Sequence, residues 1–199
     1  GFFKITSYKF DSTKAPFEVK DVAQGETGSF TACWKNNGFE FETKFTLPDN
    51  AEQLLISTKV IASPPKVKVY FVDMLCYPSS MAGGWSRGMK LRKRGALTPA
   101  RKVNVQDKGQ ELKLEKKENW CLFYDSYFDF GKSRGEGPCA FLYNPQETTR
   151  AIVRVTNYSC NAILAYPVKN PANIMLWDFH KMTNKQAMDY MESLKVSDE

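Results

Sequence analysis

The stretch of sequence that decides the fold spans residues 36–47 and reads NNGFEFETKFTL. After the Asn-Gly pair, Phe, Thr or Leu occupies every second position, and the residues between them are Glu, Lys or Thr. Successive side chains of a strand point to opposite faces of a sheet, so this alternation predicts a strand with one buried face and one wet face. An Asn-Gly pair between hydrophobic runs also predicts a hairpin with the preceding run, residues 30–34.

Similar short runs continue on both sides of this hairpin, and clusters of Pro, Gly and Asn that are typical of turns separate them. We expect strands at residues 3–10, 54–62, 67–76, 103–105, 111–117, 120–130, 140–143, 150–156 and 160–168, and we leave residues 174–179 ambiguous. The run at 111–117 is rich in lysine, which favours an edge strand. About 9–11 short strands with no helix between them predict an all-β, antiparallel fold, with a sandwich favoured over a barrel.

The C-terminal part of the chain predicts one helix. Thr183 and Gln186 stand three residues apart, as in a capping box. Apolar residues then recur at helical spacing, at Ala187, Met188, Met191 and Leu194. We therefore expect an amphipathic helix over about residues 184–195. No shift in composition marks a boundary, so we interpret residues 1–199 as a single β-sandwich domain.

The positive charge of the chain is concentrated in residues 74–106. This stretch holds seven of the 28 Lys and Arg residues and none of the 22 Asp and Glu residues, so the remainder carries 21 positive and 22 negative side chains. Its glycines and prolines predict a long basic loop over residues 77–102. A localised basic patch indicates an anionic partner. We expect partner contacts from Trp85, Arg87, Lys90, Arg92, Lys93, Arg94, Arg101 and Lys102.

Three kinds of partner fit such a loop, and a solvated loop without a partner is the fourth reading. An acidic protein surface is favoured. An anionic membrane is the second choice, because Trp85 beside the charges suits insertion at headgroup depth. Nucleic acid is the third choice. A nucleic-acid site usually has a broad basic face with stacking aromatic residues, and the basic charge of this chain is confined to one stretch. Within the loop, Thr98 begins a Thr-Pro-x-Arg pattern typical of proline-directed kinase sites, so Thr98 is a candidate for phosphorylation.

Motifs for catalysis or cofactor binding are sparse in this sequence. The five cysteines stand at positions 33, 76, 121, 139 and 160, and no two of them have the spacing of a zinc site. We expect neither a metal nor a cofactor. The enzymatic alternative is a thiol hydrolase with Cys121 as nucleophile, His180 as base and Asp178 as its orienter. Because Cys121 lies among aromatic residues, we expect a buried, inert thiol and a protein that is not an enzyme.

The remaining features of the sequence concern the cellular location of the protein. No apolar run approaches the roughly 18–20 residues that span a bilayer, and the cysteines fit buried thiols in a reducing cytoplasm. The N-terminus shows neither an initiating Met nor the layout of a signal peptide. Together these observations predict an interaction or scaffold module excised from a larger intracellular protein.

Overall fold

The structure, a computed structural model, describes residues 3–49, 53–76, 94–104, 109–126, 129–131, 137–156 and 160–194. Within these ranges the chain forms fifteen strands, a short 3-10 helix at Pro145–Glu147 and the helix α1 at Asn184–Ser193. The strands are β1 (Phe3–Ser7), β2 (Phe10–Asp11), β3 (Phe17–Ala23), β4 (Gly28–Asn36), β5 (Phe39–Leu47), β6 (Gln53–Ala62), β7 (Val69–Cys76), β8 (Arg94–Leu97), β9 (Lys102–Asn104), β10 (Gln110–Lys113), β11 (Trp120–Asp125), β12 (Cys139–Tyr143), β13 (Arg150–Val155), β14 (Cys160–Pro167) and β15 (Ala172–Asp178).

The strands form two antiparallel sheets that pack face to face. One sheet has six strands in the order β10-β13-β14-β7-β1-β2, and the other has nine in the order β3-β4-β5-β6-β15-β12-β11-β8-β9. The predicted all-β sandwich is therefore confirmed, and so is the edge position of β10. The strand number exceeds the expected 9–11 because very short strands such as β2 add to the sheets and because the exposed edge strand β3 was not predicted.

The hairpin predicted at Asn37-Gly38 connects β4 to β5. Both turn residues have positive φ, 50° and 80°, as a two-residue hairpin turn of the mirror-image type requires. Phe39, Phe41 and Thr43 are buried on the inner face of β5, as the alternation predicts. The Thr43 side chain is satisfied there by a hydroxyl–hydroxyl hydrogen bond of 2.8 Å to Thr58 on β6.

The space between the sheets is filled mainly by aromatic and aliphatic side chains. The Phe41 ring lies between Phe39 and Tyr70, with centroid distances of 5.6 and 5.5 Å, and Tyr70 in turn stacks on Tyr166. The Tyr70 hydroxyl donates to the Asn170 carbonyl at 2.8 Å, so this buried polar group is paired. Rings of this size contribute most of the apolar area that stabilises such a core.

A second apolar cluster lies under α1, on the outer face of the nine-stranded sheet. Ala187 and Met191 of α1 are fully buried against this face, which carries Leu122 and Trp177. The predicted capping box is present: the Thr183 hydroxyl accepts from the Gln186 N–H at 3.1 Å, and the Gln186 side chain accepts from the Thr183 N–H at 2.9 Å. The helix ends at Ser193, two residues before the expected end. Across the described ranges, no helix is long and apolar enough to cross a membrane.

The extent of the basic loop needs correction. Residues 94–97 were expected in the loop but form β8, which pairs with β11 on one side and β9 on the other. Lys102, the expected last loop residue, begins β9. The loop prediction failed here because composition counts the charge of Arg94 but does not reveal the carboxylate that it meets across the sheet. The ambiguous residues 174–179 are resolved mostly as β15.

Candidate interaction surface at the loop end

Several strands end at the same edge of the sandwich, which we call the loop end. In the six-stranded sheet, β7 ends at Cys76 opposite Cys160, the first residue of β14. In the nine-stranded sheet, β8 begins at Arg94 opposite Asp125, the last residue of β11. The segment 77–93 therefore leaves the described structure at Cys76 and re-enters it at Arg94. Loops at the end of a rigid sandwich are where binding residues commonly lie.

Arg94 forms a buried ion pair at this end. Its side chain is only 1% exposed, and its Nε donates to Asp125 Oδ2 at 3.1 Å. The Nη1 atom donates to the Thr156 carbonyl at 2.8 Å, immediately after β13, so the same side chain links the two sheets. A buried charge is tolerated only when it is paired and hydrogen-bonded. Arg94, the described residue that follows segment 77–93, is consequently fixed to the core.

The first residue of α1 is held at the same place. The Asn184 side chain donates to the Asp125 carbonyl at 3.0 Å, and its backbone N–H donates to Asp129 Oδ1 at 2.7 Å. Asp125 thus pairs with Arg94 through its side chain and with α1 through its backbone. The loop end is therefore rigid where the described chain borders segment 77–93.

The structure separates the expected partner-binding residues into three groups. Trp85, Arg87, Lys90, Arg92 and Lys93 lie outside the described residues. Arg94 was expected at the surface, which is wrong, because its guanidinium is buried against Asp125. Arg101 and Lys102 lie at the opposite end of β8 and β9, because Leu97 pairs with Lys102 while Gly95 pairs with Asn104. We call that opposite end of the sandwich the far end.

Arg101 at the far end forms an ion pair with a buried carboxylate. Its Nε donates to Glu118 Oε1 at 2.8 Å and its Nη2 donates to Glu118 Oε2 at 3.0 Å. Nη2 also donates to the Lys113 carbonyl at 2.6 Å. This two-bonded geometry is the strong form of an arginine–carboxylate pair. Arg101 therefore holds the β8–β9 turn to the segment that follows β10.

Glu118 is completely buried, and four donors surround its carboxylate. Besides Arg101, the Thr98 hydroxyl donates at 2.7 Å and the Glu115 N–H donates at 2.7 Å. Burial alone disfavours the charged form of Glu118, but these hydrogen bonds and the Arg101 charge together outweigh it, so the pKa lies below its ordinary value. Glu118 is ionised at neutral pH and serves as the centre of this network.

Thr98, the candidate phosphorylation site, is a member of the same network. Its side chain is 3% exposed, and its hydroxyl accepts from the Ala100 and Arg101 N–H groups while it donates to Glu118. The Thr98 hydroxyl is therefore shielded from solvent, and its phosphorylation stays a prediction. A phosphate at Thr98 would be placed against the Glu118 carboxylate, so phosphorylation requires this turn to open first.

Lys102 on β9 lies over the aromatic ring of Tyr124 on β11, across the intervening strand β8. Its Nζ is 5.5 Å from the centroid of the Tyr124 ring, within the range of a cation–π contact. The Tyr124 hydroxyl donates to Asn104 Oδ1 at 2.6 Å, and burial raises the pKa of this tyrosine to about 12. Gly95 allows this packing, because a Cβ there would overlap the Tyr124 hydroxyl.

The three residues of the thiol-hydrolase alternative do not share one environment: Cys121 is buried, whereas Asp178 and His180 are exposed. Cys121 lies on the inner face of β11 and is fully buried between the sheets, and burial raises the pKa of its thiol well above the ordinary value. His180 follows β15 and is exposed, while Asp178 ends that strand. A buried thiol with a raised pKa supplies little thiolate for nucleophilic attack. Among the described residues, no group of three His, Cys, Asp or Glu side chains could hold a metal ion.

We expect Cys121 of the folded protein to resist iodoacetamide at pH 6, because its thiol is both buried and protonated. In urea at pH 8 the same residue should be labelled completely. Cys33, which is half-buried on the outer face of β4, provides the comparison and should react before Cys121 at pH 8 in the folded protein. Peptide mass spectrometry measures the extent of labelling at Cys33 and at Cys121. Rapid labelling of Cys121 at pH 6 would show an activated thiol and restore the hydrolase hypothesis.

Sequence reasoning missed the pair of Arg94 and Asp125. A signal was present, because residues 120–125 read WCLFYD and place one acid at the end of an otherwise apolar strand. An acid in such a strand needs a cation across the sheet. Arg94 is followed by Gly, Ala and Leu, which suit a buried strand, but the distance of 31 residues hides the pairing.

Comparison with known proteins shows similarity in fold. No protein-family model matches the sequence, and no curated protein matches it either. Among solved structures, an α-N-acetylgalactosaminidase (NagBb) from Bifidobacterium bifidum matches over 95% of this chain with a TM-score of 0.64 and 8% identity. The GH36 α-galactosidase AgaB from Geobacillus stearothermophilus matches over 94% with a TM-score of 0.50 and 5% identity.

A putative aldose 1-epimerase from Klebsiella pneumoniae subsp. pneumoniae matches over 84% of the chain, with a TM-score of 0.52 and 6% identity. The match covers 54% of that epimerase chain, and it covers 33% and 30% of the two glycosidase chains. This chain thus spans about a third of each glycosidase that it resembles. At such low identity the likeness shows the fold alone.

Proposed function

We propose that this chain is a non-catalytic interaction module of a larger intracellular protein, and that it binds a partner with an acidic surface at the loop end. The basic segment 77–93 supplies the charge, through Arg87, Lys90, Arg92 and Lys93, and Trp85 supplies an aromatic contact. Arg94 and Arg101 no longer belong to this surface, because each is paired with a carboxylate of the sandwich.

The observation that carries the proposal is that both described residues that flank this segment, Cys76 and Arg94, are buried in the sandwich. The segment starts after Cys76, which is buried and paired in register with Cys160, and it finishes at the buried ion pair of Arg94. Fixed ends reduce the conformational freedom that a binding segment loses on association. Four positive charges lie within the seven residues 87–93, and such a local concentration of charge attracts an acidic surface.

The cysteines support an intracellular parent protein. All five are free thiols, and Cys121 and Cys160 are fully buried. Burial raises the pKa of Cys160 to about 12, so this thiol behaves as a small apolar side chain. Small secreted domains, by contrast, are usually stapled by disulfides.

A second candidate function is that of an accessory domain in a carbohydrate-active protein. The similarity in fold to two glycosidases, of which this chain spans about a third, favours it. The exposed apolar side chains on β3 and its neighbours also favour it, because such strips often mark contacts with another domain. They are Phe17, Val19, Phe30 and Leu47. This candidate does not require the basic segment.

The first candidate predicts that reversing Arg87, Lys90 and Arg92 to Glu weakens binding to an acidic polypeptide by at least about tenfold at low salt, because charge steering is lost. The difference should shrink at high salt, since the Debye length falls from about 10 Å at 0.1 M to about 3 Å at 1 M. Binding of fluorescent poly-glutamate, followed by anisotropy at both salt concentrations, measures the effect.

The matched control reverses three exposed lysines elsewhere, Lys14, Lys66 and Lys169. It makes the same change in net charge and should leave most of the binding intact. Vesicles of phosphatidylserine and a single-stranded oligonucleotide are tested in parallel. If the protein binds the vesicles or the oligonucleotide more tightly than poly-glutamate, an anionic membrane or a nucleic acid replaces the acidic protein as the proposed partner. Equal binding by the reversed and parent proteins would refute a role for the segment and favour the second candidate.

A further inference from the structure

A separate groove of about 560 Å³ lies at the far end of the sandwich, opposite the end that carries Cys76 and Arg94. Its buried lining includes Leu114, Tyr143, Thr148 and Ala151, and its exposed lining includes Lys113, Lys116, Thr149 and Arg150. The register of β10 with β13 places Gln110 and Val155 at the loop end and Lys113 at the far end. The volume is within the range of about 300–1,000 Å³ that is usual for small-molecule sites.

The charges around the groove are unbalanced. Lys113, Lys116 and Arg150 face one carboxylate of the lining, that of Glu115. Glu115 already pairs with Lys117 at 3.3 Å. The nearby Glu118 is buried and paired with Arg101. In the part of the chain that the structure describes, none of the three lining cations forms an ion pair.

The walls of the groove are held in place by hydrogen bonds. The Lys116 ammonium donates to the carbonyls of Pro145 and Thr148, so this cation is tied to the wall. The Thr148 hydroxyl also donates to the Pro145 carbonyl at 2.9 Å. In the buried lining, the Tyr143 hydroxyl donates to the Glu118 carbonyl at 2.8 Å, which fixes the ring. A preformed site of this kind loses little freedom when a ligand binds.

We infer that this groove binds a small molecule that carries an oxyanion, such as a phosphate, sulfate or carboxylate group. Arg150 offers the planar donors that match two oxygens of such a group, and Lys113 adds a flexible point charge. Lys116 contributes its charge from the wall. The apolar side chains of the buried lining suit the uncharged part of the same molecule. This site is distinct from the loop end and does not rest on the function proposed for segment 77–93.

The test titrates the isotopically labelled protein at pH 7 and low ionic strength, and follows backbone amide signals by NMR. The probes are inorganic phosphate, glucose 6-phosphate and glucuronate, with neutral glucose as the uncharged control. We expect saturable shifts around residues 113–116 and 143–151 with the anions and none with glucose. Arg150→Gln and Lys113→Gln should each weaken binding by about fivefold, and the double variant more strongly.

The control variant Lys14→Gln removes one exposed charge near β2, at the opposite edge of the same sheet from β10, and should bind like the parent. The protein with Arg87, Lys90 and Arg92 reversed should also retain the site, which separates this inference from the proposed function. Tighter binding of glucose 6-phosphate than of phosphate identifies an organic phosphate, and equal binding identifies the free anion. Failure of all three anions to saturate, or equal binding by parent and double variant, overturns the inference.

Discussion

Replacing Arg94 with Met should lower the free energy of unfolding by about 3–5 kcal/mol, because it breaks a buried ion pair by removing one partner. Asp125 is 4% exposed, so water reaches its carboxylate poorly. The Thr156 carbonyl loses the hydrogen bond from Arg94 in the same variant. Urea unfolding of the parent and variant, followed by tryptophan fluorescence, measures the difference.

Two controls make this result specific to the buried pair. Lys102→Met removes a cation only eight residues away, but that side chain is exposed and loses only its contact with the Tyr124 ring, so its cost should stay within about 1 kcal/mol. The double variant Arg94→Met, Asp125→Leu removes both charges and should recover part of the loss, since a buried pair replaced by apolar residues is often neutral. A loss below about 1 kcal/mol for Arg94→Met alone would show that water already solvates this pair.

The buried position of Arg94 also limits which basic residues can be reversed without disturbing the fold. If Arg92, Lys93 and Arg94 all lay in a solvated loop, as the composition predicts, reversing the three together would leave the fold intact. In the structure, Arg94→Glu would place a second carboxylate beside Asp125 in the core. Loss of binding by that triple variant would then report unfolding rather than a lost contact. The reversal is therefore confined to positions before Arg94.

Local sequence patterns predict those structural elements that depend only on residues close together in the chain. The Asn37-Gly38 turn, the alternation along β5 and the capping box of α1 depend on neighbouring residues, and each was predicted from them. The β8–β9 hairpin depends on partners far away in the chain. Arg94 meets Asp125 across 31 positions, and Arg101 meets Glu118 across 17. Composition assigns such arginines to a loop, because an unpaired basic side chain prefers water.

The groove at the far end could not be foreseen for the same reason. Lys113 and Lys116 come from the lysine-rich run at residues 111–117, where Glu111 and Glu115 offset their charge in a linear count, and Arg150 lies on β13. The densest basic run of the chain lies within residues 77–102 instead. Three cations brought together by strand pairing form a local concentration of charge that a linear count cannot reveal.

The network around Glu118 gives the second large effect. Replacing Glu118 with Ala should lower the free energy of unfolding by about 2–4 kcal/mol, because the Thr98 hydroxyl and the Glu115 N–H lose a buried acceptor. Arg101 loses its partner as well, but its side chain is partly exposed and can turn towards water, which limits the cost. Glu118→Gln keeps the shape and one acceptor oxygen, so it should cost about half as much.

The pH dependence distinguishes the charge of Glu118 from its packing. Its pKa is lowered in the folded protein, so its contribution to stability is complete above the unfolded value of about 4.3 and is lost as the pH falls through the folded value. Urea unfolding between pH 7 and pH 3 should therefore show a gap between the parent and Glu118→Gln that is widest near neutral pH and narrows in acid. If the two curves stay parallel through this range, the carboxylate does not hold its negative charge against Arg101, and the network stabilises the far end by shape alone.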